Sequence, residues 1–427
     1  IDGQGGLDNI DAGAGNDTIT LGSLSDYSTA YGTDIIDGGA GVDGVVFTGA
    51  QNLTAANLAT ISNTESWTIP TGSDLTLSDA VMANNPGLTF AFAGAGTLSS
   101  GEDSLGKSLM TTALNIEATS SGNLKLITSS SDDSFTFDQT ESLTADDTID
   151  GNAGTDTINI WNDDERAASG SADYGTGDAA TVAFGANVTN VEKLVILDSA
   201  TDDDVGDVAI TINSGYTGPA LEIDGSALDA NVTSTAGERL TVDNNAGATY
   251  GLSLTVTGGS FSDIISSGAG ADIVSGGAGV DTLNGEGGND IISGGAGNDI
   301  IPGGLGLDSS DGGDCNDTIE VDNKGEFQVS GGVETVNGGA GTDVLDFTNT
   351  EAINLTAPEL SKLFSIESIT LSHTAASTLT FGNETFTSLG NPSLTITTSD
   401  GDATTSIDGS AVTNGAFIMV DDGTNAN

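Results

Sequence analysis

Short runs in which apolar and polar residues alternate recur along the whole chain. Residues 252–257 read LSLTVT, and residues 366–371 read IESITL. Alternation with a period of two puts successive side chains on opposite faces of an extended segment, which is typical of a half-buried β-strand. Clusters of Gly, Asp, Ser and Thr separate these runs and favour turns. The hydrophobic pattern therefore predicts an all-β protein made of many short strands.

A nine-residue period is superimposed on this pattern between residues 258 and 320. Seven copies follow one another without a gap, from GGSFSDIIS to GGDCNDTIE, and the eighth position is apolar in six of the seven. The sixth position is always aspartate, at Asp263, Asp272, Asp281, Asp290, Asp299, Asp308 and Asp317. Copies at 3–20, 38–46, 151–159 and 338–346 add Asp8, Asp17, Asp43, Asp156 and Asp343. Half-degenerate copies add Asp34 and Asp147.

The period predicts both a fold and a cation. Glycine at the first, second and fourth positions permits tight or left-handed turns, so each copy can turn and then run as a short strand whose eighth side chain points inward. Two copies make one coil, which stacks the aspartates at a strand spacing of about 4.8 Å. Two carboxylates so placed repel by about 1 kcal/mol in bulk water, and by more in a desolvated turn. Calcium suits such turns because it accepts carboxylate and carbonyl oxygens at flexible geometry.

The charge balance points the same way. The chain has 63 acidic and seven basic residues, a formal net charge of −56. Nucleic acid is excluded as a partner because phosphate binding needs clustered Lys or Arg. Self-repulsion on this scale opposes a compact fold unless cations neutralise it. Cys315 is the only cysteine, so folding must depend on packing or metal rather than on an intrachain disulfide.

These nonapeptides resemble the RTX (repeats-in-toxin) family, in which GGxGxDxUx repeats form calcium-bound parallel β-rolls. The resemblance implies that the sixth-position aspartates are calcium ligands. It also implies an all-β fold, a parallel β-roll or β-helix solenoid with intervening strand-rich modules and a few short helices. Phe261 and Cys315 replace fourth-position glycines, Ser310 takes an apolar position, and Pro302 lacks an amide donor. We therefore expect the sites near 299–317 to be the weakest.

A longer repeat relates residues 38–69 to residues 338–371, with a looser copy at 151–197. Each of the first two holds an Asn-Leu-Thr-Ala element. In the second, the residues from Thr356 to Glu359 predict a capping box that opens a short helix through Leu360 and Leu363. The segments that follow predict strands. Glu65, Glu192 and Glu367 occupy one repeated position, and we interpret them as capping or rung residues rather than calcium ligands or catalytic acids.

The repeats divide the chain into six segments. We predict an RTX block at 1–46, a strand-rich solenoid module at 47–141, a short RTX block at 142–159, a second strand-rich module at 160–257, the main RTX β-roll at 258–346, and a strand-rich module at 347–427. The modules either continue the solenoid, which we favour, or pack on it as sandwich-like bulges. Residue 1 begins inside a repeat, so we expect the chain to be a section of a longer polypeptide.

Catalytic chemistry has little support in the sequence. His373 is the only histidine, and no HExxH, GxSxG or Walker-type motif occurs. We predict that the protein is not an enzyme. Trp67 and Trp161 each follow a repeat block, and we interpret both as packing residues rather than carbohydrate subsites.

RTX chains serve several functions, so the resemblance specifies the scaffold more firmly than the role. The alternation of RTX blocks with Thr-, Ser- and Asn-rich modules is most like bacterial surface-layer proteins exported by type I secretion. We therefore predict a secreted, extracellular structural protein at the cell surface, a subunit of a surface layer or sheath that is folded and assembled by calcium. Its expected partners are calcium, further copies of itself in a lattice or filament, and cell-surface polysaccharide, without nucleic acid or a membrane span. The alternatives are a section of a large RTX adhesin and, less favoured, a calcium-binding accessory module of a secreted enzyme.

Overall fold

Parallel strands that pair one coil apart, with a few short helices between them, form the described fold. The structure is a computed structural model, and it describes residues 1–2, 8–22, 34–50, 52–100, 110–118, 123–137, 143, 146–161, 180–197, 207–213, 215–216, 218–228, 239–244, 251–321, 334–348, 352–371, 377–383, 385, 393–398, 406–413 and 417–421. The chain separates into two compact units, the first of which comprises Ile1–Gly175, Ala180–Asp202 and Gly215–Leu221. The second is formed mainly by Glu222–Asn427. The six-segment division remains a prediction.

Strands β1 to β18 belong to the first unit. They are β1 Asn9–Asp11, β2 Thr18–Leu21, β3 Ile35–Asp37, β4 Gly44–Phe47, β5 Asn52–Leu53, β6 Ile61–Ser62, β7 Ser66–Ile69, β8 Ser73–Thr76, β9 Thr89–Phe92, β10 Gly96–Ser99, β11 Asn115–Ala118, β12 Leu124–Ile127, β13 Ser134–Phe137, β14 Thr148–Asp150, β15 Thr157–Trp161, β16 Ala180–Phe184, β17 Val188–Thr189 and β18 Lys193–Leu197.

Strands β19 to β38 lie wholly or mainly in the second unit. They are β19 Val208–Ile212, β20 Leu221–Asp224, β21 Leu240–Asp243, β22 Leu254–Thr257, β23 Ile264–Ser266, β24 Ile273–Ala278, β25 Thr282–Asn284, β26 Ile291–Ala296, β27 Ile300–Pro302, β28 Ser309–Asp314, β29 Thr318–Val321, β30 Thr335–Ala340, β31 Val344–Phe347, β32 Asn354–Leu355, β33 Leu363–Phe364, β34 Ser368–Leu371, β35 Thr378–Thr380, β36 Ser393–Thr398, β37 Ser406–Asp408 and β38 Phe417–Asp421. The described helices are α1 Ala55–Leu58, α2 Asp79–Asn84 and α3 Ala357–Leu360.

In the second unit, one coil consists of two nonapeptides, as the period predicts. Each coil contributes one strand to the ladder β22-β24-β26-β28-β30-β33 and one to the ladder β21-β23-β25-β27-β29-β31-β34. Every pairing is parallel, and within the array the partners lie two nonapeptides apart, as in Ile273↔Ile291. The eighth-position side chains stack in register, Ile301 against Ile319 and Ile319 against Leu345, and are fully buried. The protein is therefore a parallel β-roll of the predicted class.

The first unit continues the same parallel pairing through its strand-rich segments. One ladder runs β2-β4-β7-β9-β11-β13-β15-β18 and a second runs β17-β14-β12-β10-β8-β5. Strand β4 of a glycine-rich copy pairs directly with β7 of the intervening segment, with Val45 opposite Trp67. The intervening segments therefore continue the coil, as we favoured, instead of forming separate sandwiches.

The short helices recur in equivalent coils, but α3 ends earlier than predicted. Thr54 and Thr356 are the N-caps of α1 and α3, and each makes a capping box with the residue three positions later. Helix α3 ends at Leu360, whereas Leu363 begins strand β33. The helix predicted to extend through Leu363 is thus one turn too long, because that residue is needed in a parallel pair with Val336.

Trp67 is a packing residue, as interpreted from the sequence. Its side chain is fully buried, and its ring makes T-shaped contacts with Phe47 at 5.7 Å and Phe90 at 5.6 Å between centroids. The indole nitrogen donates to Thr64 Oγ1 at 2.8 Å. The indole is therefore satisfied inside the coil and is not available as a sugar-binding platform.

Candidate calcium sites

The sixth-position aspartates of the second unit form two hydrogen-bonded ladders. In one ladder the backbone amide of each aspartate donates to Oδ1 of the aspartate one coil later, as from Asp263 to Asp281 at 2.7 Å and from Asp281 to Asp299 at 2.8 Å. The ladder continues through Asp317 to Asp343. The second ladder joins Asp272, Asp290 and Asp308 in the same way. All of these side chains are buried.

Within the part of the chain that the structure describes, the other carboxylate oxygen of most ladder aspartates has no hydrogen-bond partner. These buried, unpartnered Oδ2 atoms belong to Asp8, Asp17, Asp43, Asp156, Asp272, Asp281, Asp290, Asp299, Asp308, Asp317 and Asp343. A buried carboxylate oxygen without a donor is costly, and buried charges in proteins are normally paired or bound to metal. The sequence predicted every one of these residues as a calcium ligand.

Beside eight of these atoms the first position of the repeat is a described glycine, and its missing Cβ lets the carboxylate oxygen come close to the backbone. A Cβ added to Gly294 would lie 2.3 Å from Asp299 Oδ2 and 2.4 Å from the carbonyl oxygen of Gly312, one coil later. Glycine is thus required there for space. At the second and fourth positions it is required for backbone conformation, since Gly295 has φ of 110° and Gly297 has φ of 141°.

Burial raises the pKa of eight of these carboxyls, those of Asp156, Asp272, Asp281, Asp290, Asp299, Asp308, Asp317 and Asp343. The pKa of Asp281 and of Asp290 is raised to about 7, mainly by desolvation; the backbone amide bond lowers the pKa and the neighbouring ladder aspartates raise it. Desolvation also raises the pKa of Asp272 and of Asp317 to about 6. A bound cation would remove this cost because it stabilises the ionised form.

The donor set fits calcium. Each space offers a carboxylate oxygen and a backbone carbonyl, and hard oxygen donors are the ligands that calcium prefers. Among the residues that the structure describes, no group of three or more His, Cys, Asp or Glu side chains could hold a metal ion. Backbone carbonyls of the turns must therefore complete any such site, as the sequence analysis expected.

The first unit brings its predicted aspartates into shorter ladders of the same kind. The amide of Asp8 donates to Asp34 Oδ1 at 2.9 Å, and that of Asp17 donates to Asp43 Oδ1 at 2.7 Å. Asp147 Oδ1 accepts from the amide of Leu124 at 2.9 Å. Short ladders are consistent with isolated copies of the repeat.

Asp263 differs from the other array members. Its Oδ2 accepts the amide of Gly259 at 2.7 Å, in addition to the bond from Leu240 to its Oδ1. Asp263 is the first array aspartate, and a backbone amide of the protein already satisfies its Oδ2 atom.

The sites near 299–317, which we expected to be weak, have the same ladder geometry as their neighbours. Cys315 adopts a φ of 83° in place of the fourth-position glycine, so the turn keeps its shape. Ser310 is buried at the core position, and its hydroxyl has no partner within the protein. The backbone therefore tolerates these departures, and their effect on calcium affinity remains a prediction.

The sequence analysis missed two ladder residues, Asp133 and Glu334. The amide of Asp133 donates to Asp156 Oδ1 at 2.7 Å, and Asp133 Oδ1 accepts from Leu114 at 2.6 Å. Glu334 is buried. It precedes Thr335 as Asp308 precedes Ser309, and Thr335 and Ser309 are partners on neighbouring strands. Asp133 follows a serine-rich segment, whereas Glu334 follows Gly331 and Gly332 in a half-degenerate copy of the repeat and was not assigned as a ligand because glutamate replaces the aspartate.

His373, the one histidine, lies outside the described residues, so its predicted lack of a catalytic partner stays a prediction. No described helix is long and apolar enough to cross a membrane.

Comparison with known proteins supports the ladder assignment. The model of the RTX calcium-binding nonapeptide repeat matches residues 1–27, 143–160, 255–283, 275–310 and 293–323. These segments are RTX calcium-binding repeats, as the sequence indicated. A search of curated proteins found no match, and neither did a search of solved structures.

Proposed function

We propose that the protein is a secreted structural component of a bacterial surface layer or sheath, folded and assembled by calcium. The observation that carries this proposal is the series of buried Oδ2 atoms without partners in the protein. Such a fold is unfavourable at low calcium and becomes favourable when a divalent cation binds, because metal binding that requires the folded state stabilises that state.

Export and folding are then separated by the calcium gradient. Low calcium inside the cell leaves the acidic chain unfolded for type I secretion, and millimolar calcium outside folds it. RTX repeat proteins are typically secreted, which agrees with this order of events. The role proposed for the protein is mechanical and not catalytic.

The outer face of the β-roll supports self-association. The seventh-position side chains point outward, and Ile264, Ile273, Ile291 and Ile300 are 40–55% exposed. Ile273 and Ile291 are direct neighbours in one ladder. Exposed apolar side chains in register favour contacts with another protein surface, and further copies of this chain are the partner proposed.

Electron microscopy and light scattering of the purified chain test the proposal. With calcium added at millimolar concentration, we expect ordered two-dimensional arrays or sheaths that dissolve with EGTA. Monomers that bind calcium and a cell-surface glycan without forming arrays would instead favour the adhesin. Hydrolytic activity of the intact parent polypeptide would favour the enzyme module.

A further inference from the structure

Three glutamates of one repeated position lie at the ends of aspartate ladders. The amide of Asp43 donates to Glu65 Oε2 at 2.6 Å, that of Asp156 to Glu192 Oε2 at 2.8 Å, and that of Asp343 to Glu367 Oε2 at 2.9 Å. Inside the ladders this amide donates to the aspartate of the next coil. The glutamate therefore takes the place of the aspartate that the following coil lacks.

The residue two positions before each glutamate has the same unusual backbone conformation. Asn63 has φ of 53°, Asn190 has φ of 52° and Ser365 has φ of 51°. Residues other than glycine rarely adopt positive φ, so its recurrence at three equivalent places indicates a specific requirement.

With this backbone conformation, the carbonyl oxygen of each residue lies beside the first-position glycine of the last coil in its ladder. A Cβ added to Gly151 would lie 2.1 Å from the carbonyl oxygen of Asn190 and 2.3 Å from Asp156 Oδ2. At Gly338 the corresponding distances are 2.0 Å to the carbonyl oxygen of Ser365 and 2.7 Å to Asp343 Oδ2.

The third ladder end repeats this arrangement. A Cβ added to Gly38 would lie 2.1 Å from the carbonyl oxygen of Asn63 and 3.1 Å from Asp43 Oδ2. At an internal site, such as that of Gly294, the same place is taken by a first-position glycine carbonyl.

An independent observation shows that these ends need a ligand. Asp43, Asp156 and Asp343 are at most 1% exposed, and the Oδ2 atom of each is buried without a partner in the protein. Each of these Oδ2 atoms lies close to the carbonyl oxygen of the residue with positive φ, beside the same glycine.

We propose that the tripeptides Asn63–Glu65, Asn190–Glu192 and Ser365–Glu367 complete a calcium site at the end of each ladder. The first residue supplies a carbonyl oxygen and the glutamate supplies the second carboxylate. Three residues thereby replace the six-residue turn of the nonapeptide. In this proposal the glutamates are part of the metal site, whereas the sequence analysis interpreted them as capping or rung residues. This inference rests on the calcium binding assumed in the proposed function.

Terbium, which substitutes for calcium, provides a local test because Trp67 donates to Thr64, the middle residue of the first tripeptide. The chain has two tryptophans, so Trp161→Phe leaves Trp67 as the only tryptophan, and excitation beyond the tyrosine absorption band selects it as the sensitiser. In the Trp161→Phe protein, which serves as the background, we expect terbium emission sensitised by Trp67. Added calcium should lower this emission because it displaces terbium. Glu65→Gln keeps a hydrogen-bond acceptor for Asp43 but loses the charge, and should weaken terbium binding about tenfold.

The matched control is Glu222→Gln, which makes the same charge change on an exposed strand residue and should leave the terbium titration unchanged. A titration of Glu65→Gln that coincides with that of the background would overturn the proposal, because a purely structural cap tolerates glutamine. If the background protein itself bound neither terbium nor calcium, the proposed function would fail instead.

Ser365 offers a second test that does not depend on Glu65. Ser365→Gly permits positive φ and should keep the calcium affinity, measured by calorimetry on the full chain. Ser365→Val disfavours positive φ and should weaken one calcium site about tenfold. Equal calcium affinities for the glycine and valine variants would contradict the carbonyl assignment.

Discussion

Asp133 and Asp281 are buried carboxylates in the same kind of ladder, yet they differ in the partners of the Oδ2 atom. The amides of Asp133 and Asp281 both donate to the aspartate one coil later. Asp133 Oδ2 accepts from the amide of Ser129 at 2.9 Å and from its hydroxyl at 3.1 Å. Asp281 Oδ2 lies beside Gly276 and has no partner in the protein.

The difference teaches that the turn before each of these two aspartates decides whether its Oδ2 atom is satisfied, and we propose that calcium binds where it is not. Residues 128–131 read TSSS, and serine supplies donors from within the chain. Residues 276–279 read GGAG, which supplies space and carbonyls but no side-chain donor. One coil geometry can therefore be stabilised either by serine or by a cation.

Calcium removal should produce the largest difference between the two regions. With EGTA at about pH 8, where the array carboxylates are ionised, we expect the 258–346 block to unfold, seen as loss of β-type circular dichroism and of amide protection from hydrogen exchange. The coil from Ser129 to Phe137 should retain more of its protection because its carboxylate is satisfied internally. Unchanged spectra in EGTA, or equal loss in both regions, would contradict the comparison.

Substitution of the array aspartates should have the next largest effect. Asp281→Asn with Asp290→Asn removes two calcium-facing carboxylates and should lower calcium affinity by at least tenfold, measured by calorimetry. Asp308→Asn should lower it less, since its repeat departs most from the consensus. Asp133→Asn is the matched control and should leave calcium binding unchanged. The reverse ranking of Asp308 and the pair would disprove the register.

The pH dependence should change sign with calcium. Without calcium, the pKa of Asp281 is raised from 3.8 to about 7, so the folded state holds protons that the unfolded state has released. The free energy of unfolding should therefore fall as pH rises through that window. With calcium, affinity should rise over the same window because the ion displaces those protons. Melting temperatures at about pH 5 and about pH 8 check both signs.

The smallest expected effect is that of the serine donor. Ser129→Ala removes the hydroxyl bonds to Asp133 and should destabilise its coil by about 1 kcal/mol, with or without calcium. Hydrogen exchange of residues 129–137 measures this change. Ser130→Ala is the control in the same turn, because that hydroxyl donates to the carbonyl of Met110 and not to a carboxylate. If the stability of Ser130→Ala depended more on calcium than that of Ser129→Ala, the idea that Ser129 takes the place of a metal ion would be contradicted.

The coil and its ligand-bearing positions could be read from the sequence because glycine and aspartate act locally. A fixed nine-residue spacing dictates which side chains stack, and the same spacing places Leu283, Ile301 and Ile319 in one buried column. The equivalence of the segments at 38–69 and 338–371 was also visible, since both carry the same capping threonine.

Only the tertiary structure decided which carboxylates lack a donor and what ends each ladder. Asp133 and Glu367 become ladder members through amides that are respectively 19 and 24 residues away in sequence. Such partners depend on the lengths of the intervening loops, which have no periodic signal. The sequence alone determined the repeating coil, because the causes of the coil are local. Contacts between coils decided which buried oxygens accept a hydrogen bond, because hydrogen bonding depends on positions in space.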